Sequence, residues 1–261
     1  MDRAGDHRLR RRGPRAAARR RNDSLEARLR HPIYAPLAPW LGLGRSRDAL
    51  NQAAAGIRTE SGRPIRFVPP TARGPYEVRV YETGCVETRP DNLHDWFNAL
   101  CWLAFPRTKA RINAMHAAAI PHEQGQRGRL RDLLTIFDEG GAVVVCADAE
   151  LLQLLRELRW KELFWDRRER VRQAMRFAVL GHAVLEQALK PWPGITCKAV
   201  FASPGDDVDA RAAEWLAQVG ADASPRDLAP LPVFGYPGWA EGQDARFYED
   251  GRYFRPQGKA G

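Results

Sequence analysis

Two apolar stretches of the chain each carry a histidine and a carboxylate, residue types that bind metal ions or transfer protons. The first spans residues 93–105, in which ten of thirteen residues are apolar and His94 has an aspartate beside it. The second spans residues 174–189 and carries His182 and Glu186, four positions apart. A helix that is apolar on every face is usually buried, and a buried carboxylate is costly unless it is paired, hydrogen-bonded or metal-bound. The pattern therefore predicts either an active site or a polar network inside the core.

One hypothesis is a metal-dependent hydrolase. Imidazole and carboxylate groups are suitable ligands for zinc, manganese or iron, and an open position on such an ion activates water. We expect one divalent ion, and a lysine that stabilises anionic charge favours a phosphoester or nucleic-acid substrate. The candidate metal ligands are His94, His116 and His182, and the candidate catalytic groups are Asp95, Glu186 and Lys161.

The alternative hypothesis is a non-enzymatic binding module. In this interpretation the same histidines and acids form a satisfied polar network that fixes helix packing. Asn92 is a good N-cap for the first stretch, and Asp95 at the third helical position would complete a capping box. The sequence has no H-E-x-x-H, G-x-S-x-G or phosphate-binding glycine motif that would favour one enzyme class.

The positive charge is concentrated at the N-terminus. Residues 1–22 contain nine arginines and two aspartates, so they hold +7 of the formal net charge of +9. We predict that residues 1–22 are a disordered basic arm and that residues 23–261 form one domain. The alternative hypothesis assigns nucleic-acid binding to this arm, since such binding depends on clustered basic side chains.

Cysteine usage and hydropathy indicate a cytoplasmic protein. The four cysteines are widely separated with no C-x-x-C pair, and most lie in apolar runs, which is typical of free thiols in a reducing compartment. No run of 18 apolar residues is present, so we expect no membrane span. The N-terminus lacks the apolar segment of a secretory signal.

The order of predicted elements indicates an α+β fold: a single, mainly helical domain with a β-hairpin and a few short strands. Helices are predicted over residues 93–105 and 107–120, and one long helix is predicted from Asp166 to Pro191. The hairpin is predicted over residues 132–147, with Asp-Glu-Gly-Gly as its turn, and short strands over 63–68 and 76–82. Turn chemistry then accounts for Asp138 and Glu139 without a function.

Several segments together resemble an uncharacterised bacterial family, domain of unknown function 3025. The resemblance covers roughly residues 64–256, and its segments are 91–116, 133–145, 159–165, 181–186 and 230–256. It implies a single bacterial cytoplasmic domain with no established activity, so it carries no catalytic assignment. The matching positions include His94, Asp95, Asn98, Trp160, Lys161, Glu162, His182 and Glu186.

Overall fold

The computed structural model describes residues 24–71, 74–123, 126–192, 194–205 and 207–255. The predicted basic arm, residues 1–22, lies outside this part of the chain. The described residues form ten α-helices, which we number α1 to α10 along the chain: Leu25–Arg28, Arg47–Ala53, Tyr76–Thr83, Leu93–Ala104, Pro106–Ala119, Arg129–Gly140, Ala149–Arg156, Arg168–Ala174, His182–Gln187 and Val208–Gln218.

Six strands form two small sheets, and the α+β prediction is confirmed. The strands β1 to β6 are Arg66–Val68, Cys85–Glu87, Gly141–Cys146, Met175–Val179, Thr196–Ala202 and Ala229–Pro232. Strands β1 and β2 pair in parallel. The larger sheet has the order β4-β3-β5-β6, in which only the β3–β5 pair is parallel. No helix in the described residues is long and apolar enough to cross a membrane.

Helices α4 and α5 form where local signals predict them. The side chain of Asn92 caps α4 by accepting the amide hydrogen of Asp95 at 2.9 Å. Pro106 occupies the first position of α5, where its missing N–H costs nothing. Most of α4 is buried, as its apolar composition predicts.

The predicted β-hairpin over residues 132–147 is wrong. Residues Arg129–Gly140 form helix α6, and only the second half of the segment is a strand. Leu133, Leu134 and Phe137 are fully buried at helical spacing, so they form the apolar face of an amphipathic helix. The chain passes from α6 to β3 at Gly141, where a Cβ would lie 2.3 Å from the carbonyl oxygen of Phe137.

The predicted long helix that contains residues 174–189 is also wrong. The chain forms α8, strand β4 and then the short helix α9, so the alternation of buried Met175, Phe177 and Val179 is that of a strand. His182 is the first residue of α9 rather than the middle of an apolar stripe. The segment predicted as a strand over 76–82 is helix α3, which ends at the left-handed Gly84.

Candidate functional site

A pocket of about 510 Å³ opens between helices α3, α4, α5 and α6 and the first residue of α9. Four of the six residues predicted as ligands or catalytic groups line it: His94, Asp95, His116 and His182. Glu186 lies behind His94, and Lys161 lies elsewhere on the protein. The fold therefore assembles most of the predicted constellation from segments far apart in the sequence.

Two imidazoles meet in this pocket. Nε2 of His94 lies 3.1 Å from Nε2 of His182, and the ring centroids are 4.5 Å apart. The His182 side chain is only 6% exposed, whereas that of His94 is 38% exposed, so one ring is enclosed and the other reaches solvent. The two buried stretches predicted from the sequence thus converge through their histidines.

The other nitrogen of each ring has an acceptor as its partner. Nδ1 of His182 lies 2.8 Å from the carbonyl oxygen of Asp138, and Nδ1 of His94 lies 3.1 Å from Oε2 of Glu186. A carbonyl and a carboxylate only accept, so both Nδ1 atoms carry hydrogen. In the neutral rings each Nε2 atom then carries a lone pair and no hydrogen, and the two nitrogens face each other. This contact is favourable only if a proton or a metal cation lies between the nitrogens.

A close approach of two glycines places His182 at this position. Gly181 precedes α9, and a Cβ on it would lie 2.5 Å from the Cα of Gly140 at the end of α6. The backbones of the two helices can therefore approach closely. The carbonyl of Asp138 belongs to the last turn of α6, where carbonyls have no partner within the helix, and His182 supplies one.

A buried ion pair extends the polar chain from His182. Nζ of Lys109 donates to Oδ1 of Asp138 at 2.5 Å and to Oδ1 of Asn98 at 2.7 Å. The Lys109 side chain is 5% exposed, and its ammonium also lies over the ring of Trp102. The polar groups form one continuous chain: Asn98, Lys109, Asp138, His182, His94 and Glu186.

The electrostatics of the pocket keep its buried histidines neutral. Burial lowers the pKa of His182 to about 4, although the carboxylate of Asp138 opposes this effect. Burial similarly lowers the pKa of His116 to about 4. Burial alone would raise the pKa of Asp138, but Lys109 and His182 hold it below its ordinary value. A neutral imidazole is the form that binds a metal ion.

Asp95 has a different partner from the one predicted. Its carboxylate accepts from the backbone N–H of Arg89 at 2.7 Å and from the Arg89 guanidinium at 2.8 Å, so it does not complete a capping box. Burial raises the pKa of Asp95, but the hydrogen bonds from Arg89 outweigh this effect and lower it. Asp95 lines the pocket as half of an ion pair.

His116 and Lys161 have partners other than the histidine pair. Nδ1 of His116 accepts from Nε of Arg131 at 3.2 Å, so its proton is on Nε2. Lys161 pairs with Glu249 on the surface and does not line the pocket, so it does not support a phosphoester substrate. Within the described ranges, no group of three or more His, Cys, Asp or Glu side chains could hold a metal ion.

The sequence patterns predict a hairpin turn at Asp138 and a strand at Glu77. In the structure both residues line the pocket, from helices α6 and α3. The apolar spacing that ends at Phe137 was the available signal for α6. Lys109, Asn113 and His116 are four and three positions apart on α5, so they share one face of this helix, and all three line the pocket.

Comparison with known families agrees with the resemblance in the sequence. The family model described as a protein of unknown function, DUF3025, matches residues 65–258. The chain belongs to the DUF3025 family. The match includes all six predicted site residues and every helix that lines the pocket of this DUF3025 domain. Neither the curated proteins nor the solved structures give a match.

Proposed function

We propose that the protein is a metal-dependent hydrolase in which His94 and His182 bind one divalent ion, zinc, manganese or iron. The observation that carries the proposal is the pair of Nε2 atoms facing each other at 3.1 Å. Two nitrogen ligands on a tetrahedral zinc ion, each about 2.0–2.1 Å from the metal, are about 3.3 Å apart. The pair therefore needs almost no movement to bind such an ion.

The groups behind the imidazoles also support this proposal. Metal-binding histidines usually donate their second N–H to a carboxylate or a backbone carbonyl, which fixes the tautomer and the ring orientation. Glu186 and the carbonyl of Asp138 hold His94 and His182 in this manner. Both rings therefore have an unprotonated Nε2, and these two nitrogens are 3.1 Å apart.

An ion held by two histidines keeps positions for water and substrate. A bound divalent ion polarises a carbonyl or lowers the pKa of water, which is the chemistry that hydrolysis requires. Glu186 is positioned to balance positive charge on His94, and Lys109 is positioned to hold the Asp138 end of the chain. Asp95 and His116 have partners of their own and are proposed as pocket groups rather than as ligands.

A second candidate is a structural network, which the continuity of the hydrogen bonds favours. If one proton lies between the two Nε2 atoms, the chain from Asn98 to Glu186 is satisfied without a metal ion. In that case function would lie elsewhere, and binding of nucleic acid by residues 1–22 is the proposal to test. Salt-dependent DNA binding that disappears when residues 1–22 are deleted would support it. The free cysteines support the further proposal of a cytoplasmic location.

Metal content distinguishes the two candidates. Plasma mass spectrometry on untagged, dialysed protein should find zinc, manganese or iron near one equivalent, and His182→Ala and His94→Ala should each lose it while remaining folded. His122→Ala, which changes an exposed histidine outside the pocket, is the matched control and should keep the metal. Metal-free protein that also fails to bind added zinc or manganese would refute the proposal.

A further inference from the structure

Asn113 lines the pocket and has a buried side-chain oxygen without a hydrogen-bond partner. Its side chain is 2% exposed, and its Nδ2 donates to the backbone oxygen of Glu77 at 2.8 Å and to Oε2 of Glu77 at 2.7 Å. The backbone oxygen can only accept, so the amide cannot be reversed without placing oxygen against oxygen. Oδ1 of Asn113 then has no hydrogen-bond donor, and it is the one such buried side-chain atom among the described residues.

A buried acceptor without a hydrogen-bond donor requires an explanation. Buried polar atoms almost always have a partner, because an unsatisfied acceptor has lost its water without compensation. Asn113 lies on α5 beside the pocket, so a group inside the pocket is the natural donor. A ligand atom that carries hydrogen would therefore satisfy Oδ1 of Asn113.

The charges around the pocket determine whether a positively or a negatively charged ligand is favoured. Five carboxylates line it, and three of them are paired with a cationic side chain: Asp95 with Arg89, Asp138 with Lys109, and Glu87 with Arg79. Each of these cations already pairs with a carboxylate, and Glu77 forms no salt bridge with a lysine or arginine in the described part of the chain. The five carboxylates are those of Glu77, Glu87, Asp95, Asp138 and Glu139.

We infer that Glu77 and Asn113 form a subsite for a cationic nitrogen group with at least two N–H donors, of the ammonium or guanidinium class. One N–H would donate to Oδ1 of Asn113, and another would donate to the Glu77 carboxylate, whose negative charge balances the cation. The group belongs to the substrate only if the proposed hydrolase is correct, but the binding itself does not depend on the metal. The expected substrate is thus a cationic molecule rather than a phosphoester.

The test is calorimetric titration of the full chain with small probes. Methylguanidinium and methylammonium are the cationic probes, and they distinguish the two cation types. N-methylurea is the neutral probe of similar shape, and inorganic phosphate is the anionic probe. At least one cation should bind, while N-methylurea and phosphate should not bind. Preferential binding of phosphate would overturn the inference.

Matched variants locate the binding. Glu77→Gln removes the charge and should weaken binding of the cation about tenfold or more, as expected for the loss of a charged hydrogen-bond partner. Glu82→Gln makes the same change at an exposed position of the same helix and should have no effect. Asn113→Ala should also weaken binding, so the inference can be tested even if one variant does not fold. Unchanged affinity in folded Glu77→Gln, or no cation binding at all, would refute the subsite.

One further titration distinguishes failure of this subsite from failure of the proposed hydrolase. In His182→Ala the cationic probe should bind as it does in the parent protein, because the subsite uses neither histidine. Cation binding by a parent protein that contains no metal and binds no added zinc or manganese would refute the hydrolase alone. Metal binding without cation binding would refute the subsite alone.

Discussion

Lys109 is the group whose removal tests the buried polar chain most sharply. Lys109→Met keeps the length of the aliphatic stem beside Trp102 and deletes the ammonium that bonds Asp138 and Asn98. The change leaves the Asp138 carboxylate, whose side chain is 19% exposed, without its cation. A substitution that leaves a buried charge without its partner strongly lowers the free energy of unfolding.

The expected magnitude follows from the burial of the pair. Removal of one partner of a buried ion pair lowers the free energy of unfolding by about 3–5 kcal/mol. Because Asp138 is partly exposed, we expect a value of about 3 kcal/mol for this pair. For a domain of this size, each kcal/mol lowers the melting temperature by about 2–4 °C, so we expect a decrease of about 6–12 °C. Urea unfolding followed by circular dichroism measures the free energy directly.

The same prediction has a definite pH dependence. In the parent protein the pKa of Asp138 is lowered, so its contribution to stability is present above its ordinary pKa of about 3.9 and disappears as the pH falls through the folded value. In Lys109→Met, burial without the ammonium raises the pKa of Asp138, so its ionised form destabilises the protein at neutral pH. Acidification protonates the carboxylate, and the stability difference between the variant and the parent should therefore shrink as the pH falls.

Two control variants make this prediction refutable. Lys161→Met breaks an exposed pair with Glu249 and should change the melting temperature very little, because exposed ion pairs contribute little to stability. Lys109→Met combined with Asp138→Asn should be more stable than Lys109→Met alone, because the stranded charge is gone. Equal effects of Lys109→Met and Lys161→Met would refute the reasoning that Lys109 neutralises a buried charge.

Three other predictions concern the elements that position the site. Asp209 accepts both first-turn amides of α5 at 2.8 and 2.9 Å, so Asp209→Ala should lower the unfolding free energy by about 2 kcal/mol in urea, and Asp209→Asn by less. Gly181→Ala would place a Cβ 2.5 Å from the end of α6 and should lower the melting temperature by calorimetry, whereas Gly42→Ala, which meets nothing within 4 Å, should not. Burial raises the pKa of the Cys101 thiol to about 12, so mass spectrometry should find it modified by a disulfide reagent far more slowly than the half-buried Cys85.

The helices that carry half of the pocket were predictable because their signals are local. Asn92 caps α4 and Pro106 opens α5, and both roles depend only on residues within one turn. The caps of α7 and α10, Asp148 and Asp207, are equally local, because each side chain accepts the amide hydrogens two and three residues later. Capping chemistry does not change with the rest of the fold.

The strands of the larger sheet were not predictable in the same way. Strand β4 is stabilised by pairing with β3, about thirty residues earlier in the chain, and the apolar run around it satisfies a helical pattern equally well. Strand β3 pairs on its other side with β5, so its six buried residues reflect a central position rather than a hairpin. These choices depend on partners that single-sequence periodicity does not reveal.

The candidate site is likewise predictable from the sequence only in part. The sequence singled out His94 and His182 because each interrupts an apolar run, and the fold brings their nitrogens together. No local pattern predicts Asp138 between Lys109 and His182, because that contact requires the end of α6 to meet both α5 and α9. Asp95 looked catalytic only because its partner, Arg89, lies outside the apolar run.

The most direct test of the proposed metal centre is anomalous X-ray diffraction from crystals soaked in zinc, recorded above and below the zinc absorption edge. We expect one anomalous peak between the two imidazoles, about 2.0–2.1 Å from Nε2 of His94 and from Nε2 of His182. A map without a peak there, with the two nitrogens still about 3.1 Å apart, would show that a shared proton joins the rings and would contradict the metal centre.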